Sequence, residues 1–178
     1  MRHLPNLLTL LRLALTPWAA VCILRQEFGT ALWVCAAAGL SDALDGWLAR
    51  KLDARSRFGA YMDPISDKIL LVTVFLALGA VHAAPRWLVA LVLGRDLLIL
   101  AMAAIALAFT SIRDFPPSLW GKISTHLQVY ACLIFLSANI WPGSVWSSAV
   151  PVATAAAAAG TAWSGLHYVY TGIRRIRS

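Results

Sequence analysis

Six long apolar segments, separated by short polar or charged ones, account for most of the chain, and they cover residues 7–24, 30–48, 69–84, 87–110, 119–140 and 145–170. Each is close to the roughly 20 residues that an α-helix needs to cross a bilayer. The third is short unless its helix extends back through Tyr61. The pattern predicts an all-α integral membrane protein, a bundle of six transmembrane helices with a short N-terminal interfacial segment.

The composition supports this interpretation. Of the 178 residues, 60% are hydrophobic and 13% are charged, and the mean hydropathy is +0.73. Globular proteins are about 45–50% apolar, so the chain has too little polar surface for a soluble domain. Its length predicts a single domain spanning residues 1–178. With no cleavable secretory signal or transit segment in view, we expect a bacterial or an already processed chain. Of these, a bacterial cytoplasmic (inner) membrane protein is preferred.

Lysine and arginine residues predict the orientation. If the N-terminus is cytosolic, most loop and helix-end bases fall on the cytosolic side, and the opposite side holds only Arg25 and Arg86. Positive charge concentrates on the cytosolic side of membrane proteins, so both termini are expected there. The net charge is +7, but the bases are scattered over loops and form no continuous face. A nucleic-acid partner is therefore not expected.

Residues 40–70, "LSDALDGWLARKLDARSRFGAYMDPISDKIL", hold five of the eight acidic residues. Asp42 and Asp45 are spaced i, i+3 in the second predicted helix, and Asp63 and Asp67 are spaced i, i+4 in the third. Each pair shares one helix face. The short loop between the two helices predicts antiparallel neighbours, so the four carboxylates are expected to converge at the cytosolic end of helices 2 and 3.

Four carboxylates in a low-dielectric site cannot all stay ionised without compensation. Either several are protonated or divalent cations neutralise them, and oxygen donors favour Mg²⁺, Mn²⁺ or Ca²⁺ over Zn²⁺. The alternative, ordinary acids at helix ends, is accepted for Asp53 only, because acids inside a membrane are costly and usually functional.

The motif reads Asp42-x-x-Asp45-Gly46-x-x-Ala49-Arg50, then eight residues, then Gly59-x-x-x-Asp63-x-x-x-Asp67. It resembles the signature of the CDP-alcohol phosphatidyltransferases at every position and every spacing. The segment "PNLLTLLR" near the start and the six-helix layout are also similar to that family.

The resemblance implies transfer of a phosphatidyl group from CDP-diacylglycerol to an alcohol, with release of CMP, by a homodimeric membrane enzyme. It implies a site for two Mg²⁺ or Mn²⁺ ions, with Asp67 as the general base and as one of the metal ligands. The other implied metal ligands are Asp42, Asp45 and Asp63. The positions that match contacts to the CDP moiety are Gly46, Ala49, Arg50 and Gly59.

Two basic residues are candidates for contact with the phosphate of the acceptor or of a lipid. Arg95 precedes Asp96 in the fourth predicted helix, where the two could instead form a self-neutralising pair. Lys122 begins the fifth, where its side chain could simply reach the membrane surface. His126, one turn later, is interpreted as a packed polar helix residue, and the alternative is that it lines the acceptor pocket.

The residues that follow Lys122 indicate which alcohol is the acceptor. Relatives that use glycerol 3-phosphate typically carry Lys-x-Lys-Thr where this chain has Lys122-Ile-Ser124-Thr125. A missing cation favours an acceptor with one phosphodiester charge, so phosphatidylglycerol, giving cardiolipin, is preferred. The first alternative is glycerol 3-phosphate, giving phosphatidylglycerophosphate. An alternative from another class is an ion-coupled transporter that uses the aspartate cluster, although its acids would be expected throughout the spans.

Overall fold

Six α-helices and no strands run through the part of the chain that the computed structural model describes, which is residues 4–51, 57–109 and 119–177. Side chains are described for residues 10–41, 65–102, 104–105, 119–172 and 174. The helices are α1 (Leu4–Leu24), α2 (Phe28–Lys51), α3 (Arg57–Ala80), α4 (Arg86–Phe109), α5 (Leu119–Ile140) and α6 (Ser144–Arg177). The all-α prediction is confirmed for these described residues.

The helix limits settle two points that hydropathy left open. The third helix begins at Arg57, well before its apolar run, so Asp63 and Asp67 lie inside it. The first helix begins at Leu4, so the chain from Leu4 to the first apolar run is part of α1.

One helix within the described residues, Leu119–Ile140, is long and apolar enough to cross a membrane by length and composition. Two shorter apolar stretches, Leu10–Leu24 and Phe28–Ser41, fall below that length. Several large apolar side chains point outward, among them Trp33, Val152 and Leu166. Such outward-facing groups are typical of a surface covered by lipid or by another protein. The count of six spans remains a prediction.

The first of two compact units contains Met1–Ala84 and Phe135–Pro142. In it, α1 packs against both α2 and α3. The α1–α2 connection is tight, because Gln26 adopts a left-handed φ of 61° and Glu27 N–H donates to the Cys22 carbonyl at 2.8 Å. This helix-ending turn folds α2 back along α1. Small buried residues such as Ala19, Ala31 and Ala38 allow the helices of this unit to pack closely.

The second unit contains Pro85–Ile134 and Gly143–Ser178. In it, α4 packs against α6, and small residues of α6 face inward. Ala153, Ala157 and Thr161 recur every four residues and are buried. A Cβ built on Gly160 would lie 2.7 Å from Leu127 Cδ1 of α5. The Ala-rich sequence of α6 therefore serves close helix packing.

Substitution of Ala38 tests the packing of the helix that carries the first half of the aspartate motif. Ala38 is fully buried, whereas Ala36 of the same helix is exposed. We expect Ala38→Leu to lower the free energy of unfolding by about 1–3 kcal/mol, because the added atoms force packed helices apart. Ala36→Leu should change it by less than about 0.5 kcal/mol. Unfolding of the purified protein in detergent measures both, and equal effects would contradict this packing.

Candidate functional site

The aspartate motif lies on the two helices that pack against α1. Its first half belongs to the C-terminal end of α2 and its second half to the N-terminal part of α3. Asp67 is the motif residue whose side chain is described. The side chains that lie outside the described residues are those of Asp42, Asp45, Gly46, Ala49, Arg50, Gly59 and Asp63. The convergence of the carboxylates therefore stays a prediction.

The chemistry of this donor set suits a hard divalent cation. The four acids supply only carboxylate oxygens, which Mg²⁺ and Mn²⁺ prefer. The pair in α2 and the pair in α3 are each about one helical turn apart in sequence, so the helical period predicts that each pair shares one face. These residues could therefore hold the metals that the motif implies.

Asp67 is held by Arg12, a residue outside the site predicted from sequence. Arg12 of α1 is fully buried, and its Nη1 donates to Asp67 Oδ1 in an ion pair. The same nitrogen lies 3.4 Å from Ser66 Oγ. The Asp67 side chain is 47% exposed. The pair thus joins a buried cation to an anion that solvent and small molecules can reach.

A signal for Arg12 was present in the sequence. It is the arginine that ends "PNLLTLLR" and the charged residue inside the first apolar run. An ionisable residue in a membrane-like segment requires a partner and often has a function. Which acid was its partner could not be inferred, because 55 residues separate Arg12 from Asp67.

The second unit contains a pocket of about 290 Å³. Its lining combines basic, hydroxyl and aromatic groups from α4, α5 and α6, namely Arg95, Ile99, Gly121, Lys122, Thr125, His126 and Tyr168. The two basic residues proposed from sequence, Arg95 and Lys122, are therefore brought to the same pocket.

Three contacts hold the guanidinium of Arg95. Its Nη1 donates to Asp96 Oδ1 at 2.9 Å, and its Nη2 donates to Ser164 Oγ at 2.6 Å. Its Cζ lies 5.8 Å from the ring centroid of Tyr168, within the range of a cation–π interaction. The Arg95–Asp96 pair is confirmed, and the two side chains are 9% and 7% exposed. Arg95 also lines the pocket, so the pair does not exclude a ligand contact.

Ser164 and Tyr168 were missed in the sequence. They are spaced i, i+4 on α6, with Thr161 three residues before Ser164. This polar stripe along an otherwise apolar helix was the available signal, since residues at these spacings share a helix face.

His126 and Ser124 lie close together on α5 but differ in exposure. The preferred interpretation of His126 as a packed residue was wrong, because it is exposed and lines the pocket, as the alternative held. Its Nδ1 lies 2.7 Å from the Lys122 carbonyl, so Nδ1 carries the proton in that contact. Ser124 is fully buried and accepts a hydrogen bond from Gln128 Nε2 at 3.3 Å. The position of the missing lysine therefore does not line this pocket.

Comparison with known proteins agrees with the motif. The sequence model of the CDP-alcohol phosphatidyltransferase family matches residues 2–163. The chain is 32% identical over 189 residues to cardiolipin synthase (CMP-forming) of Streptomyces coelicolor, covering 98% of this chain and 85% of that protein. It is 31% identical over 175 residues to a CDP-diacylglycerol–glycerol-3-phosphate 3-phosphatidyltransferase of Shigella flexneri, covering 94% of this chain and 93% of that protein.

A third relative is considerably longer than this chain. The probable cardiolipin synthase (CMP-forming) of Drosophila melanogaster is 30% identical over 155 residues, which are 78% of this chain and 48% of that protein. The chain thus spans about half the length of this relative.

Removal of the Ser164 hydroxyl tests the hold on Arg95. We expect Ser164→Ala to lower the free energy of unfolding by about 1–3 kcal/mol, because a buried hydrogen bond to a charged group is lost. Ser147→Ala is the control, since Ser147 is exposed and donates to the Ser144 carbonyl of its own helix at 2.6 Å. Denaturation in detergent compares the two variants, and an equal loss in both would contradict a special role for Ser164.

Proposed function

Because the chain belongs to the CDP-alcohol phosphatidyltransferase family, we propose that it is an enzyme of phospholipid synthesis. It transfers a phosphatidyl group from CDP-diacylglycerol to a glycerol-based alcohol and releases CMP. The observation that carries this proposal is the family match over residues 2–163, which contains the complete aspartate motif. An ion-coupled transporter is no longer considered, because the relatives are named as synthases and transferases.

The carboxylates of α2 and α3 would hold two divalent cations, Mg²⁺ or Mn²⁺, through Asp42, Asp45, Asp63 and Asp67. When bound, such ions neutralise the oxygens of a pyrophosphate and stabilise the phosphate that leaves. The oxygen-only donor set supports this assignment.

The CDP moiety would bind beside these acids. Gly46, Ala49 and Gly59 have little or no side chain, which lets a ligand approach the helix backbone. Arg50 adds a cation suited to phosphate oxygens. Their positions match the family motif over α2 and α3.

Asp67 would act as the general base. The acceptor hydroxyl oxygen forms a bond to the phosphorus that carries diacylglycerol, while the bond from that phosphorus to the bridging oxygen of CMP breaks. The hydroxyl proton passes to the Asp67 carboxylate. The partial exposure of Asp67, at 47% of its side chain, supports this role because a base must be reachable by the acceptor.

The pocket of the second unit would bind the phosphate of the acceptor through Arg95 and Lys122. At about 290 Å³ it is at the small end of ligand pockets, which run from about 300 to 1,000 Å³. That size suits the head group of a lipid acceptor, whose acyl chains would remain in the membrane.

The charge around this pocket supports phosphatidylglycerol as the acceptor, with cardiolipin as the product. Asp96 is bonded to Arg95, so Arg95, Lys122 and Asp96 together carry one net positive charge. A phosphodiester carries one negative charge, whereas glycerol 3-phosphate carries nearly two. Glycerol 3-phosphate remains the second candidate, because the Shigella relative bears its name.

The membrane arrangement is part of the proposal. We place six spans in the cytoplasmic membrane of a bacterium, with both termini and the aspartate motif on the cytosolic side. The bias of lysine and arginine and the outward-facing apolar side chains support it. Assembly as a homodimer is proposed from the family alone.

Release of CMP tests the proposed reaction. We expect purified protein with CDP-diacylglycerol and Mg²⁺ or Mn²⁺ to release CMP when phosphatidylglycerol is present, and less with glycerol 3-phosphate. Asp67→Asn should lower kcat by at least about 100-fold, because it removes the base. Asp53→Asn, which changes an acid outside the motif, is the matched control.

Other results of the CMP-release assay would overturn different parts of the proposal. Turnover with glycerol 3-phosphate alone would keep the reaction and overturn the acceptor. No turnover with either acceptor would overturn the proposed function for these substrates. Equal losses in Asp67→Asn and Asp53→Asn would contradict the role of Asp67.

Reporter fusions test the topology. In a bacterial host, alkaline phosphatase is active only outside the cytosol, and green fluorescent protein fluoresces chiefly inside it. We expect a C-terminal fusion after residue 178 to fluoresce and lack phosphatase activity, because an even number of spans returns the chain to the cytosol. A fusion truncated at Ala84, after three spans, should show the opposite pattern. Phosphatase activity at the C-terminus would contradict six spans with a cytosolic N-terminus.

A further inference from the structure

The ion pair between α1 and α3 assigns a role to a residue outside the aspartate motif. We propose that Arg12 is a positioning residue that holds the carboxylate of Asp67 in the orientation needed for proton transfer. This inference rests on the proposed function, in which Asp67 is the base.

The contact is directional. Arg12 Nη1 donates to Oδ1 of Asp67 and lies 3.4 Å from Ser66 Oγ. Ser66 is fully buried, so the guanidinium has a second fixed neighbour on α3. An arginine held at two adjacent residues of one helix restrains the Asp67 side chain more tightly than a single exposed contact would.

The burial of the two partners is unequal. Arg12 is fully buried and Asp67 is 47% exposed. A buried guanidinium cannot leave a carboxylate without losing part of the compensation for its charge, so the contact does not break as readily as a surface ion pair does. Asp67 is therefore held from the core side, while its remaining surface is accessible from outside.

The attachment of Arg12 to its own helix adds to this rigidity. Thr16, buried one turn later in α1, donates its hydroxyl to the Arg12 carbonyl at 2.9 Å. Because α1 packs against both α2 and α3, Arg12 projects from a helix in contact with each of the helices that bear the motif. A catalytic group supported by a packed helix keeps its geometry better than one on a loop.

Loss of this support should act on turnover more than on substrate binding. A catalytic group displaced by about 1 Å can cost about 100-fold in rate, and the substrates would be bound by other residues. Arg12→Met keeps an apolar side chain of similar length and removes the hydrogen bonds. We expect it to lower kcat by about 10- to 100-fold and to change the KM of either substrate by less than about threefold. Arg12→Lys should recover part of kcat, because it restores the charge with a single-point contact.

The experiment uses the full chain in detergent and has two readouts. Steady-state CMP release gives kcat and KM for the wild type, Arg12→Met and Arg12→Lys. The control is Arg25→Met, which removes an exposed arginine at the α1–α2 connection. The second readout is the Tm of the wild type, Arg12→Met, Asp67→Asn and the double variant. These four proteins make up a double-mutant cycle, which can be measured even if the protein is inactive.

The proposal is supported by two results together. The effects of Arg12→Met and Asp67→Asn on Tm must be non-additive, and Arg12→Met must lower kcat while Arg25→Met leaves it unchanged. The proposal is overturned if the effects of Arg12→Met and Asp67→Asn on Tm add, or if Arg12→Met turns over within twofold of the wild type. A raised KM with unchanged kcat would also overturn it, since Arg12 would then act on binding. If Arg12→Met does not fold, Arg12→Lys replaces it in the cycle, and the proposal is overturned if the effects of Arg12→Lys and Asp67→Asn on Tm add. An inactive wild type would overturn the proposed function itself, and the Tm cycle would still show whether the ion pair exists.

Discussion

The burial of the Arg12 charge constrains the structure around the aspartate motif. A guanidinium removed from water costs several kcal/mol unless a partner compensates it, and Asp67 of α3 is in contact with it. The contact ties α1 to α3, while small buried residues let α1 pack closely with its neighbours. The arrangement that compensates the arginine therefore also sets the position of one motif acid. The packing of α1 and the proposed chemistry of Asp67 therefore depend on the same interaction.

In the second unit, the charge of a buried arginine is compensated in a different way. Arg95 and Asp96 are neighbours in sequence and pair with each other, and Ser164 and Tyr168 of α6 complete the surroundings of the guanidinium. The charge is again compensated, but here the arginine still lines a pocket. One pair thus supports an acid, and the other leaves a basic pocket with a small net positive charge. This difference suits the proposed division between proton transfer and recognition of an anionic acceptor.

Three residues show where sequence reasoning succeeded and where it failed. The pairing of Arg95 with Asp96 could be expected, because adjacent opposite charges in an apolar helix neutralise each other. His126 was interpreted wrongly as packed, since its exposure depends on which face of α5 the neighbouring helices cover. The partner of Arg12 could not be identified either, because the contact joins distant parts of the chain. Local sequence pattern predicts the pairing of adjacent charges, but it does not predict the exposure of His126 or the distant partner of Arg12.

Taken alone, the amino-acid sequence determined the all-α class, the approximate limits of six helices and the register of the aspartates within them. Helix formation and face sharing follow from apolar runs and from the 3.6-residue period, which are local properties. Tertiary structure alone decided that Arg12 contacts Asp67, that Ser124 is buried, and that Arg95, Lys122 and His126 line one pocket. Those facts depend on which helix faces meet. Many pairings of apolar helices bury similar area, so it is long-range packing, and not local pattern, that selects among them.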